Sequence, residues 1–191
     1  MDFKLAVASS RDWLDCVISN FDQFLLDHAS CEKKASGMAM SIISHYADKP
    51  ALLKAMLNLA LEELAHFRDV MEIMLQKGLQ AAPDTRDEYV NIFQQAMSRG
   101  KEAYLMDRLL VASIIEARGA ERFGLIAEAL PAGELKQFYS HISESESRHY
   151  QLFLNLAEEH CPTELIPQRL EELLAIEAEI IRKLPVRAAL H

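Results

Sequence analysis

Two stretches, Glu63-Leu-Ala-His66 and Glu146-Ser-Arg-His149, set a carboxylate and an imidazole three residues apart inside long apolar helical patterns, and this doubled spacing constrains the chain more than any other feature. One helical turn takes 3.6 residues, so the two side chains of each pair stand on nearly the same face, about 4.5 Å apart along the axis. The spacing alone is weak evidence, because a chain with this many Glu and His gives roughly 0.7 such matches by chance. The register supplies the specificity. Glu32 stands 31 positions before Glu63, and Glu116 stands 30 before Glu146, each on a helical stretch expected to pair antiparallel with its successor. The order Glu, then Glu-x-x-His, therefore occurs twice, offset by 84 residues at the first Glu and 83 at the second.

Periodicity places these residues on buried faces. A short leading helix is expected over Ser9 to Ser19, with Ser9 or Ser10 as its cap and Trp13, Leu14, Val17 and Ile18 inward. The first long helix is expected from Asn20 to Tyr46, where Phe21, Phe24, Leu25, His28, Cys31, Glu32, Ala35, Met38, Ala39 and Ile42 form a three-four stripe. Asp48-Lys-Pro50 reads as a helix start, with Asp48 as N-cap and Pro50 in the first turn, and Gly78 as its stop, giving a second helix over Pro50 to Lys77 with Leu53, Met56, Leu57, Ala60, Glu63, Leu64, Phe67, Val70 and Met71 inward. A crossover with its own amphipathic stretch, Asp87 to Ser98, leads to a third long helix over Lys101 to Ala129 and a fourth over Gly133 to His160. A last amphipathic helix spans Ile166 to Leu184. The expected architecture is all-α: one domain over residues 1–191, a four-helix bundle at about 20–160 with extra N-terminal, crossover and C-terminal helices.

Composition agrees and excludes alternatives. Six Gly and six Pro argue against a turn-rich β protein. Cys16, Cys31 and Cys161 are odd in number and form no C-x-x-C, which fits reduced thiols in the cytoplasm better than a disulfide framework or a zinc ribbon. The first ten residues lack the pattern of a secretory signal, and no long uncharged apolar run follows, so a soluble, cytoplasmic protein without a membrane partner is expected. The net charge of −9 opposes general nucleic-acid binding, so any RNA contact needs a local basic patch. Lys33, Lys34, Arg99, Lys101, Arg108, Arg118, Arg122 and Arg148 are available for one, as are Arg182, Lys183 and Arg187 near the end.

An ionised carboxylate on an apolar stripe is costly unless it is paired, hydrogen-bonded or bound to a metal. A Glu from each of two helices plus Glu-x-x-His from each of two others is the donor set of a dinuclear carboxylate site, so Glu32, Glu63, His66, Glu116, Glu146 and His149 are the expected ligands. Carboxylate and imidazole suit iron or manganese, and the ligand types do not choose between them. Reduced di-iron would react with O2 as co-substrate, drawing electrons from an external donor. No catalytic residue beyond the ligands is expected. His28, one turn before Glu32, reads as a core residue or a support for that ligand; Glu62 and Ser145 are candidate hydrogen-bond partners, and Glu121 is expected to be solvated.

With these six positions in place, the chain resembles the ferritin-like di-iron carboxylate superfamily. Four stretches resemble more narrowly the tRNA 2-methylthio-N6-isopentenyladenosine hydroxylases: Asp27-His-Ala-Ser-Cys-Glu-Lys-Lys-Ala35, Leu61-Glu-Glu-Leu-Ala-His-Phe67, Ile115-Glu-Ala-Arg-Gly-Ala-Glu-Arg122 and Ser143-Glu-Ser-Glu-Ser-Arg-His149. The resemblance, over about Ser9 to Leu184, implies a monooxygenase that hydroxylates the isopentenyl group of a hypermodified adenosine at tRNA position 37, beside the anticodon. It implies two iron ions, O2, and an electron-transfer partner of the ferredoxin or flavin-reductase type, in a monomer or small homo-oligomer. The alternative is a bacterioferritin-like protein that oxidises and stores iron, disfavoured because Leu64 stands where haem-binding bacterioferritins place Met and because the crossover carries its own helix.

Overall fold

The computed structural model describes residues 2–191, and the side chain of Lys101 lies outside the described residues. Among these residues there are seven α-helices and no strand: α1 (Arg11–Ser19), α2 (Phe21–His45), α3 (Pro50–Gln76), α4 (Glu88–Ala96), α5 (Lys101–Ala129), α6 (Glu134–His160) and α7 (Ile166–Lys183). Every expected helix is present, with ends within two residues of the expected ones. The chain clusters into two compact units, one holding residues 16–85 and 187–190, the other holding residues up to Asp15, Arg86–Val186 and His191.

In the first unit α2 and α3 form an antiparallel hairpin. The start of α3 differs from expectation: Lys49, not Asp48, occupies the cap position and no side chain caps it, while Pro50 takes the first helical position, where its missing N–H costs nothing. Its end follows the sequence signal. Gly78, at φ +73°, donates to the Leu75 carbonyl and Leu79 donates to that of Met74, which satisfies two of the last free carbonyls. Lys77 pairs with Asp22 at 3.0 Å, tying the end of α3 to the start of α2. The segment after α3 lies along α2, where Asp84 pairs with Lys33 at 2.9 Å and accepts from Ser30, and Lys34 donates to the Thr85 carbonyl.

The buried face of α3 is rotated from the expected one. Leu52, Met56, Leu59, Ala60, Glu63, His66, Val70 and Met74 are buried, whereas Leu57 and Leu64 are half exposed. Leucine recurs so densely between Leu52 and Leu64 that apolar periodicity fits more than one face. On α2 the buried set is Phe24, Leu25, His28, Ala29, Glu32, Ala39 and Ile42, with Cys31 only partly buried. Ile18 of α1, expected inside, is 39% exposed.

In the second unit α5 and α6 form the other antiparallel hairpin, and α7 packs on α5 and also against α4. Helix α5 is buried on nearly every side, as Leu105, Leu109, Leu110, Val111, Ile114 and Phe123 show, because it has neighbours on two sides. Asp87 caps α4 by accepting from the Val90 amide at 3.2 Å. Asp107 joins α5 to α7: it takes two hydrogen bonds from Arg169, each 2.8 Å, and a third from the Ser98 amide. No helix is long and apolar enough to cross a membrane among the described residues.

Candidate metal centre

Each hairpin gathers its own share of the six expected ligands. In the first, Glu32 of α2 and Glu63 and His66 of α3 each offer a donor atom, all within 4.8 Å of one another. In the second, Glu116 of α5 and Glu146 and His149 of α6 do the same. All six are buried, with 1 to 7% of their surface exposed. The clustering is local in origin: antiparallel pairing brings the Glu of one helix level with the Glu-x-x-His of the next.

The distances favour a shared cation over direct hydrogen bonds. His66 Nδ1 lies 3.7 Å from Glu32 Oε2 and 3.6 Å from Glu63 Oε2, and His149 Nδ1 lies 3.7 Å from Glu146 Oε2. These separations exceed a hydrogen bond. Two donors each about 2.1 Å from one ion stand roughly 3 to 4 Å apart, so the spacing fits metal ligation. Oxygen and imidazole donors with no thiolate among them fit iron or manganese.

Electrostatics separate the two halves. His28 Nε2 donates to Glu32 Oε1 at 2.6 Å, with both side chains buried. Burial works to raise the Glu32 carboxyl, yet the hydrogen bond and charge of His28, with His66 close by, hold it well below the usual carboxylate range. Burial works to lower the His66 imidazole, and the Glu32 and Glu63 carboxylates outweigh it, raising it to about 9. In the second repeat the position of His28 is taken by Ala112, which has no polar group to offer Glu116.

A serine clamp lies one turn from the expected ligands in each hairpin. Ser36 of α2 donates to the Ala60 carbonyl of α3, and Ser143 of α6 donates to the Ala120 carbonyl of α5, both at 2.8 Å. Ser36 is four residues after Glu32 and Ala120 four after Glu116; Ala60 is three before Glu63 and Ser143 three before Glu146. The two clamps thus occupy the same place in the repeat with donor and acceptor helices exchanged. Gly124 makes room for the second, since a Cβ there would come within 3.2 Å of Ser143 Oγ. At Gly119 a Cβ would lie 3.6 Å from Glu146 Cγ, so this glycine leaves the flank of that side chain open.

Of the candidate supporting residues, Ser145 is fully buried and accepts from Arg148 at 3.0 Å, while Glu62 is half-buried. Glu121 is not solvated as expected: it accepts from the Ser9 amide and hydroxyl, each at 2.8 Å, and pairs with Arg118. Arg118 and Arg122, expected to be available to RNA, are buried. Arg118 reaches Glu177 of α7 at 2.7 Å and the Val7 carbonyl at 2.6 Å. Arg122 donates to Ser9 and lies over the Trp13 ring at 4.5 Å; burial and the charge of Arg118 lower its guanidinium to about 10. Tyr89 of α4 donates to Glu177 as well, and burial pushes its phenol upward. The sequence held one signal for this network, a lone Glu177 among Leu170, Leu173 and Ile180 on the apolar face of α7.

Comparison with known proteins adds the following. The model of the family described as tRNA-(MS[2]IO[6]A)-hydroxylase (MiaE) matches residues 2–191. A tRNA 2-(methylsulfanyl)-N(6)-isopentenyladenosine(37) hydroxylase of Pseudomonas putida is 33% identical over 182 residues, 95% of this chain and 88% of its own length. The protein of the same name in Salmonella typhimurium is 34% identical over 130 residues, 68% of this chain and 47% of its own length. A solved structure, a Synechococcus protein with aldehyde deformylating oxygenase activity, is 34% identical with a TM-score of 0.92, covering 98% of this chain and 93% of the other. The fold is ferritin-like and all-α.

Proposed function

This chain belongs to the MiaE family of tRNA hydroxylases, and from that premise we propose that it hydroxylates the isopentenyl group of 2-methylthio-N6-isopentenyladenosine at position 37 of tRNA. The observation that carries the reading is that each hairpin collects one Glu and one Glu-x-x-His, buried and within 4.8 Å, in a chain matched by the family along its length. The overall change is one C–H bond converted to C–OH, with O2, two electrons and two protons consumed and one water released.

In this reading Glu32, Glu63, His66, Glu116, Glu146 and His149 would hold two iron ions. When bound, the irons would supply the activation of O2 that a strong C–H bond requires. The chain's own residues prepare the place. His28 fixes the orientation of Glu32, the serine clamps hold each helix pair in register, and Gly119 keeps space beside Glu146. The surrounding apolar side chains exclude water, which protects a reactive oxidant from side reactions.

The substrate arrives as a single-stranded loop, whose bases can be splayed out for recognition, so an extended duplex-binding surface is unnecessary. Several expected basic residues are committed within the chain: Lys33 and Lys34 to the segment after α3, Arg148 to Ser145, and Arg182 and Lys183 to Glu179. Arg99 and Arg187 are exposed, and Arg108 lies over the Tyr104 ring at 5.8 Å, which makes these three the candidates for phosphate or base contact. A cytoplasmic location and an electron donor of the ferredoxin or flavin-reductase type complete the proposal.

The test is direct. Protein loaded with ferrous iron, given a reductase system, O2 and tRNA carrying the isopentenyl nucleoside, should yield a nucleoside one oxygen heavier by mass spectrometry of the tRNA hydrolysate. Metal analysis should find two irons per chain. A strain lacking the protein that still makes the hydroxylated nucleoside, with no second copy to explain it, would refute the assignment.

A further inference from the structure

The outward edge of α3 carries a ridge that its own hairpin does not bury. Leu57, Leu61, Leu64, Arg68, Met71 and Leu75 follow one another at alternating four- and three-residue steps, the spacing of a seam between two helices. The four leucines expose 50, 61, 51 and 66% of their surface. Residues from Leu61 to Met71 line a shallow groove of about 510 Å³ along this edge. A patch of this kind is about as large as the largest apolar patch on an ordinary monomer, and such patches often mark interaction sites.

We propose that this ridge is a homodimer interface in which α3 packs antiparallel against α3 of a second copy, about a twofold axis level with residue 66. The pattern of the ridge selects this occupant. Leu57 and Leu75, Leu61 and Met71, and Leu64 and Arg68 are equidistant from position 66, so the ridge reads nearly the same from either end. Antiparallel pairing then sets Leu57 against Leu75 of the second copy and Leu61 against Met71, and lays the aliphatic stem of Arg68 on Leu64. Charge agrees with the same register. At 1.5 Å per residue, Arg68 of one copy and Glu62 of the other come within about 3 Å along the axis, on both sides of the twofold. Parallel pairing would set Arg68 against Arg68 and Glu62 against Glu62. Within one chain Arg68 is exposed and bonds to its neighbour Asp69 at 2.8 Å, leaving the guanidinium at the surface where a second copy would meet it.

Size sets the strength. From Leu57 to Leu75 the ridge is about 27 Å long and one helix wide, on the order of 300 Å² in outline. The two copies together then bury on the order of 600 Å², below the size of stable specific interfaces, so the dimer should be weak and dissociate on dilution from the high-micromolar range.

Sedimentation velocity of the full chain across a concentration series tests this independently of any tRNA chemistry. The expected result is a reversible shift from the 21.6 kDa chain toward twice that mass. Leu61→Glu should hold the protein monomeric with its helicity unchanged. Arg68→Glu and Glu62→Arg should each weaken association about tenfold, and the double charge exchange should recover it to within about threefold. A chain that stays monomeric near millimolar concentration would overturn the proposal, as would a dimer indifferent to Leu61→Glu or one that the double exchange fails to restore. If Leu61→Glu leaves the mass unchanged and instead raises KM for tRNA, the ridge is a substrate surface and no dimer interface.

Discussion

His28 is where the two halves of the candidate centre part company. It holds Glu32 from one turn away, and Ala112 in the matching place can hold nothing. Hydrogen-bonded supports of this kind typically change metal affinity by 10- to 100-fold. His28→Leu, which keeps an apolar volume and removes the donor, should therefore lower iron affinity by roughly 10- to 100-fold while circular dichroism stays unchanged, and His28→Gln should recover part of the loss. Iron titration of the purified variants checks this. The clustering of the six residues was legible in the sequence because ionisable residues on an apolar stripe are expensive and therefore conspicuous. Glu121 and Arg118 were misread for the opposite reason: their partners, Ser9, Val7 and Glu177, lie 59 or more residues away, and no local pattern announces a pairing at that distance.

Helix ends were legible where the chemistry is local, as at Pro50, Gly78 and Asp87. The buried face of α3 was not, because leucine on several sides leaves periodicity without a preference. The serine clamps were invisible too, since a hydroxyl reaching a backbone carbonyl on the next helix has no sequence period. Ser36→Ala and Ser143→Ala should each cost about 1 kcal/mol, a fall of roughly 2 to 4 °C in Tm, and their effects should add because they sit in separate hairpins. Thermal unfolding of the single and double variants measures this. Asp107, which joins α5 to α7, gives a prediction in pH. Burial works to raise its carboxyl, but Arg169 and Ser98 hold it below its ordinary value, so its contribution is full above the unfolded pKa of about 3.9 and fades as pH falls through the lower folded value. Asp107→Asn should lose about 1 to 2 kcal/mol at pH 7, less than the cost of breaking a fully buried pair because Arg169 can still reach water. The gap to wild type should narrow below about pH 4, as urea titrations at several pH values would show.

At the scale of the molecule, Glu177 fastens distant parts of the chain: Arg118 of α5 and Tyr89 of α4 both reach it, and Arg118 also holds the Val7 carbonyl of the N-terminal segment. Removing one partner of a buried ion pair leaves a buried charge, which typically costs 3 to 5 kcal/mol. Glu177→Ala should fall in that range and expose the first ten residues to limited proteolysis, whereas Glu179→Ala, on the exposed face, should do neither. The crossed serines carry a different implication, one for descent. If the two hairpins stem from one ancestral pair of helices, each closed its seam after they separated, from opposite partners. A recombinant joining α2 to α6 would then crowd two hydroxyls into one joint, and one joining α5 to α3 would have none, so each helix closes best on its own partner.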